Sequence, residues 1–212
     1  MIYIKIWGLK RSGTNYLRWL LEENFRDTKV LMDIFGWKHG PPVVTQDQRF
    51  WWPEWKPGTM IHLTQQLLTS PVKHVLISKC LPNWIASMKR YYEMSELNPG
   101  LLHHLCMEYV GRQTQFDIFT QIHPDTSVYI PYEGMIEDPG FLLAAVQDRF
   151  DLTRSHDLWH LSEHRFERGN DGMKATDCQV KAKFDAEYVT GKLYLNDLSD
   201  AEKMIIGGYC EL

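Results

Sequence analysis

The chain has no apolar run approaching the roughly 20 residues a membrane-spanning helix needs, so such a helix is excluded by length alone. Its first residues, MIYIKIWGLKRSG, carry no basic stretch ahead of the apolar run and no small-residue cleavage site, which predicts no secretory signal. Cysteine is sparse: positions 80, 106, 178 and 210 are scattered, with no C-x-x-C pair. Neither a disulfide framework nor a zinc ribbon is expected, and a reducing, cytoplasmic compartment fits. There is no internal repeat, low-complexity tract or convincing Pro/Gly/Ser linker, so one domain over residues 1–212 is expected. Broad basic charge is also missing. A net charge of −4 argues against a general nucleic-acid binder.

What is present is a core-forming composition, 44% hydrophobic with eight Trp. Charge is uneven: residues 1–100 hold 13 Lys/Arg against 8 Asp/Glu, and residues 101–212 hold 10 against 19. A basic half on an acidic chain suggests a local anion site. Ile2 to Trp7 reads as a strand ending at Gly8, and Thr14 to Phe25 as a helix with apolar residues at three- and four-residue steps. Lys29 to Phe35 reads as a second strand, and His74 to Ser78 and Ser127 to Pro131 as buried strands. Helices are expected from Pro82 to about Glu96, Leu101 to about Ile122, Asp138-Pro139 to about Phe150, and from a capped start at Ser199-Asp200-Ala201-Glu202. Residues 36–58, rich in Pro, Gly, Trp and Gln, read as an inserted loop or lid. Strands alternating with helices predict a three-layer α/β domain with a mostly parallel sheet flanked by helices.

The most informative segment is Gly8-Leu9-Lys10-Arg11-Ser12-Gly13-Thr14-Asn15, between the first strand and the first helix. A glycine-containing turn there aims backbone N–H groups at an anion, and the helix N-terminus adds partial positive charge. Lys10 and Arg11 add full charges; Ser12, Thr14 and Asn15 add side-chain donors. The G-x4-G spacing is that of a nucleotide P-loop, but Thr14-Asn15 replaces the Lys-Ser/Thr that should follow. The strand HVLIS ends in Lys79 where a Mg²⁺-holding Asp would be needed, so a metal-free phosphate grip is expected.

Arg11-Ser12-Gly13-Thr14-Asn15-Tyr16-Leu17 resembles the 5′-phosphosulfate loop of the sulfotransferase family, (K/R)-S-G-T-(T/N)-(W/Y)-L. Those enzymes use 3′-phosphoadenosine 5′-phosphosulfate (PAPS) as sulfuryl donor. The resemblance implies a P-loop NTPase-like fold and donor contacts at Arg11, Ser12, Gly13, Thr14 and Asn15. The family's second signature is a strand, an Arg, a Pro-containing turn and a Ser eight residues after the Arg, with Arg and Ser on the donor's 3′-phosphate. Here Lys79 stands at the Arg position, Pro82 lies in the turn and Ser87 is eight residues on. Lys keeps the charge and loses the bidentate fork. Tyr132-Glu133 with Asp138-Pro139 is similar to a structural stretch of the family, and Arg168-Gly169 to its late loop over the 3′-phosphate, with that loop's Lys missing.

The chemistry implied is in-line sulfuryl transfer to a hydroxyl or amine, with charge developing on the leaving phosphate. Lys10 and Arg11 suit that charge. His39, in Gly36-Trp37-Lys38-His39-Gly40, follows the second strand and is the candidate base, with Lys38 beside it for the bridging oxygen. Trp51, Trp52 and Trp55 either clamp the loop or stack on a flat acceptor. The expected acceptor is a small molecule or carbohydrate, and the sequence does not choose between carbohydrate, phenol, amine and peptide tyrosine. His156, His160 and His164 would share a face if helical, but i and i+8 lie roughly 12 Å apart, so no metal site is expected. The alternatives are a P-loop nucleotide or small-molecule kinase and a nucleotide-binding relative without turnover.

Overall fold

A computed structural model describes residues 1–31, 37–42, 72–161 and 186–210. Four strands, β1 (Ile2–Gly8), β2 (Thr28–Leu31), β3 (Val72–Ser78) and β4 (Ser127–Pro131), form one sheet in the order β2-β1-β3-β4. Every pairing is parallel. The helices are α1 (Thr14–Asn24), α2 (Leu81–Tyr91), α3 (Pro99–Ile122), α4 (Tyr132–Glu137), α5 (Pro139–Phe150), α6 (Ala186–Thr190) and α7 (Asp200–Cys210). The expected α/β class with a parallel sheet flanked by helices is therefore observed. No helix among the described residues is long and apolar enough to cross a membrane.

Parallel strands need helical crossovers, which cover both faces of the sheet. The period of two along the strands sorts the side chains. Ile4, Ile6, Val75, Ile77 and Ile130 meet Leu17, Leu20 and Leu21 of α1 and Leu142, Leu143 and Val146 of α5 in the main core. Trp7 and Leu76 point the other way and pack against Phe116 and Phe119 of α3. Each fully buried aliphatic side chain contributes about 1.5–3 kcal/mol. Truncating Leu20, which has no exposed surface, is a change of the kind that costs about 2–5 kcal/mol.

Local chemistry fixes the helix ends. The Asn98 side chain accepts from the N–H groups of Gly100 (2.8 Å) and Leu101 (3.2 Å) at the start of α3. Asp138 accepts from Phe141 N–H at 2.9 Å to start α5. Ser199 and Glu202 form the expected capping box on α7, at 2.8 and 3.2 Å. Helix α2 stops at Tyr91, short of the expected Glu96, because Glu93 adopts a left-handed φ of 55°. The N–H groups of Glu93 and Met94 then bond back to the Arg90 and Lys89 carbonyls in a Schellman turn. The second strand ends at Leu31, and the remainder of its expected span lies outside the described residues.

The strand order places a switch point between β1 and β3. The chain leaves β1 toward β2, then returns past β1 to add β3 and β4 on its other side. Helix α1 packs on one face of the sheet and α3 on the other, the arrangement that in open α/β sheets places the ligand crevice beyond the strand C-termini.

One polar cluster is buried under α3. Lys5 and His74 are register partners on β1 and β3, both almost without exposed surface. The Lys5 ammonium lies 4.5 Å from the Trp7 ring centre, and Trp7 Nε1–H donates to His74 Nδ1 at 3.1 Å. Burial, then His123 and Lys5, push the His74 pKa down to about 4. In the unfolded chain the imidazole takes its proton near pH 6.5. Protons therefore favour the unfolded state below that pH, and stability falls between pH 6.5 and about 4 by up to about 3 kcal/mol. Thermal melts are expected to lose several degrees from pH 7 to pH 5. His74→Gln, which keeps an acceptor for Trp7, is expected to flatten that slope; an unchanged slope would remove His74 as its source.

Candidate functional site

The loop from β1 to α1 is a tight turn held by its own backbone. Ser12 donates both its N–H (3.2 Å) and its hydroxyl (2.6 Å) to the Leu9 carbonyl, and its side chain is fully buried. Leu9 is anchored beneath α2 beside Leu81 and Trp84, and Trp84 Nε1–H donates to the Lys10 carbonyl at 2.8 Å. Two positions require glycine. A Cβ on Gly8 would meet Ser12 Oγ at 2.5 Å and the Ile77 carbonyl at 2.8 Å. Gly13 has φ 85°, and a Cβ there would fall 2.6 Å from the Tyr132 ring. Arg11 also sits at a left-handed φ of 65°, a sparsely populated conformation for a side chain of its size. Gly13 caps α1 without a side-chain bond. The amides of Thr14, Asn15 and Tyr16 thus start the helix with no intrahelical acceptor, at its positive end.

Residues 37–40 are clamped onto the same turn. Gly8 N–H donates to the Lys38 carbonyl at 2.9 Å, and His39 Nδ1 lies 2.7 Å from the Gly8 carbonyl. A carbonyl only accepts, so Nδ1 carries the proton and Nε2 of the neutral ring keeps its lone pair. Lys38 is buried and donates to Asn15 Oδ1 at 2.8 Å. Lys10 lies 5.4 Å from the centre of the exposed Trp37 ring, which meets His39 edge-on at 5.1 Å. The structure thus brings Lys10, Asn15, Lys38 and His39, all expected site residues, to one place.

The second cluster stands at the end of β3. Lys79 lies 3.4 Å from Ser87 Oγ and 4.2 Å from the centre of the Tyr132 ring. Tyr132 therefore touches Lys79 while abutting Gly13, and so joins the two expected clusters. Arg11 reaches across as well, its guanidinium 4.9 Å from the ring centre of Tyr91 on α2. Glu133 accepts from Cys80 N–H at 3.1 and 3.2 Å and from Asn83 Nδ2 at 2.8 Å, bracing the start of α2. Tyr109 donates to the Lys79 carbonyl at 2.8 Å.

The electrostatics follow from this crowding. Burial, then the Arg90 and Arg11 guanidiniums, push the Lys79 pKa down to about 8, with Glu133 opposing. An ammonium held beside like charges gains most from an arriving anion. Burial also pushes the Cys80 thiol up to about 11, which makes it a poor nucleophile.

Sequence reasoning missed the parts that join the clusters. Tyr132 reads as a structural residue, and only the fold places its ring between Gly13 and Lys79. Arg90 and Tyr91 lie in Met88-Lys89-Arg90-Tyr91-Tyr92, a run similar to the family's second signature, but the sequence assigned them no role, and Trp84 gave no signal beyond its position on a helix after a strand. Arg168 and Gly169 lie outside the described residues, as do Trp51, Trp52, Trp55, His164 and residues 43–58 of the expected lid. Residues 155–161 are not helical; His160 Nδ1 pairs with Glu23 at 2.9 Å, and its N–H donates to Asn24 at 2.6 Å. No cluster of metal-ligating side chains occurs among the described residues.

No family model, no curated protein and no solved structure matches this chain. The α/β fold with its four parallel strands is what the sequence and structure establish together.

Lys79 generates a pH prediction. Its folded pKa of about 8 lies below the unfolded 10.5, so the unfolded chain holds the extra proton between those values. Stability is then expected to rise as pH increases from about 8 toward 10.5. Denaturant titrations at pH 7.5 and 9.5 should show this gain in the wild type and a smaller gain in Lys79→Gln; equal gains in both would mean that Lys79 is not the source.

Proposed function

We propose that this chain is a metal-independent, PAPS-dependent sulfotransferase. The observation that carries the reading is the joining of the two motif clusters through Tyr132 at one crevice, over the β1/β3 switch point. The sequence resemblance supplies the donor's identity. The fold supports it by bringing two motifs more than sixty residues apart close together, as one elongated molecule anionic at both ends would require.

In this reading the donor's 5′-phosphosulfate lies against Arg11, Ser12, Gly13, Thr14 and Asn15, on the backbone amides that open α1. Lys79 and Ser87 take the 3′-phosphate. An acceptor hydroxyl or amine, on a small molecule or carbohydrate, attacks sulfur. As the new bond to sulfur forms, the bond from sulfur to the 5′-phosphate oxygen breaks. The electron pair leaves with the phosphate, where Lys10, Arg11 and the helix amides meet the charge. His39 takes the acceptor's proton on Nε2, in the tautomer that its bond to Gly8 sets. Lys38, held by Asn15, stands beside it for the bridging oxygen. The kinase alternative is disfavoured by Thr14-Asn15 after Gly13 and by Ser78-Lys79 at the end of β3, where Lys-Ser/Thr and Asp would be required.

Thermal shift and calorimetry with adenosine 3′,5′-bisphosphate, set against ATP-Mg²⁺, test the reading. Stabilisation by the bisphosphate is expected; stabilisation by ATP-Mg²⁺ alone would support a kinase. Arg11→Ala and Ser87→Ala should each weaken bisphosphate binding, Arg11→Ala by about 1.5–3 kcal/mol, or roughly 10- to 100-fold. His39→Ala should spare bisphosphate binding and abolish transfer from PAPS, while full transfer in that variant would remove it as the base. Tight bisphosphate binding with no transfer to any acceptor would favour the non-catalytic relative.

A further inference from the structure

We propose that a second anion site, independent of the crevice, lies at the opposite end of the sheet and takes a tetrahedral oxyanion, phosphate or sulfate, free or as a monoester. An open depression of about 480 Å³ is lined there by Arg26, Gln147, Thr153, Arg154, His156 and Asp157. Arg26 lies between α1 and β2, and the other residues lie at or beyond the end of α5. These are the N-terminal ends of the strands, away from the turn that follows β1.

Two guanidiniums share this depression, and neither is paired with a carboxylate among the described residues. Both are held in place. Arg26 Nε–H donates to the Arg154 carbonyl at 2.7 Å, and Arg26 N–H donates to the Thr153 carbonyl at 2.8 Å. The Arg154 guanidinium lies over the Trp159 ring, 3.8 Å from its centre, and its Nε is shut off from solvent with no hydrogen-bond partner among the described residues. A buried donor left without an acceptor is costly. An anion in the depression meets the terminal nitrogens of the two guanidiniums, since Arg26 Nε is bonded to the Arg154 carbonyl and Arg154 Nε is shut off from solvent. The ordering entropy has already been spent in the folded chain, which favours binding. Thr153 and His156 add polar groups at the rim, and among the described lining residues Asp157 is the carboxylate that opposes an anion there.

Calorimetric titration of inorganic phosphate and of glucose 6-phosphate into the full chain carrying Arg11→Ala tests this site with the crevice weakened. Saturable one-to-one binding is expected to persist in Arg11→Ala and to weaken about tenfold or more when Arg26→Ala is added. Arg26 is exposed and its side-chain bond to the Arg154 carbonyl is a single exposed one, so its truncation should lower the melting temperature by no more than a few degrees. Asp157→Asn, which removes the opposing charge, should tighten binding. Tighter binding of glucose 6-phosphate than of phosphate would identify a monoester ligand, and the reverse a free anion; either result supports the site. Absence of saturable binding, or Kd values unmoved by both Arg26→Ala and Asp157→Asn, would overturn it. Because the readout is the change that Arg26→Ala and Asp157→Asn cause, at residues outside the crevice, failure here leaves the sulfotransferase reading untouched.

Discussion

A buried ammonium that shares its surroundings with two guanidiniums is the constraint on which the rest of this molecule turns. Lys79, Arg11 and Arg90 are like charges that water would keep apart, and the fold holds them at one crevice. Tyr132 makes this possible: its ring gives Lys79 a face to rest on and at the same time sets how closely the Gly13 turn approaches. Glu133, the next residue, braces the first turn of α2 and supplies a compensating charge that acts on Lys79. A single short helix after β4 thus fixes the separation between the two clusters.

The stability cost is concentrated in the same place. Arg11 is left-handed, Gly13 admits no side chain, and Lys79 is held well below its ordinary pKa. Strain of this kind persists only where the surroundings over-determine it. The surroundings here are the two-sided core: aliphatic layers under α1 and α5 on one face, and Trp7 and Leu76 under α3 on the other. Leu9, seated beside Trp84, ties the strained turn directly into that core. At the opposite end of the sheet the two guanidiniums of Arg26 and Arg154 show a milder form of the same arrangement, cations without carboxylate partners among the described residues.

The strands and most helices were legible in the sequence because their signals are local. The apolar run of β1, the three-four spacing of α1, Pro82 at the start of α2 and the Asp138-Pro139 start of α5 each report on a few neighbouring residues. The α2 end was misjudged because Glu93 closes the helix with a left-handed turn usually given to glycine. The phosphate turn and its cations were legible for the same reason as the strands, being contiguous. The contacts that unite the site were not: Tyr132 against Gly13, Lys38 on Asn15, His39 on Gly8 and Arg11 on Tyr91 join segments far apart in the chain. Sheet order alone brings them together. The depression at Arg26 was hidden likewise, since the Phe25–Arg154 bridge and the bonds from Arg26 to the Thr153 and Arg154 carbonyls join segments more than a hundred residues apart.

The most direct measurement of the central claim is a ligand-deletion series, comparing adenosine 3′,5′-bisphosphate with adenosine 5′-monophosphate by calorimetry in the wild type and in Ser87→Ala. If the two clusters grip the two phosphates of one molecule, loss of the 3′-phosphate weakens wild-type binding by about tenfold or more, and Ser87→Ala shrinks that difference. Equal affinity for both nucleotides in the wild type would contradict the account.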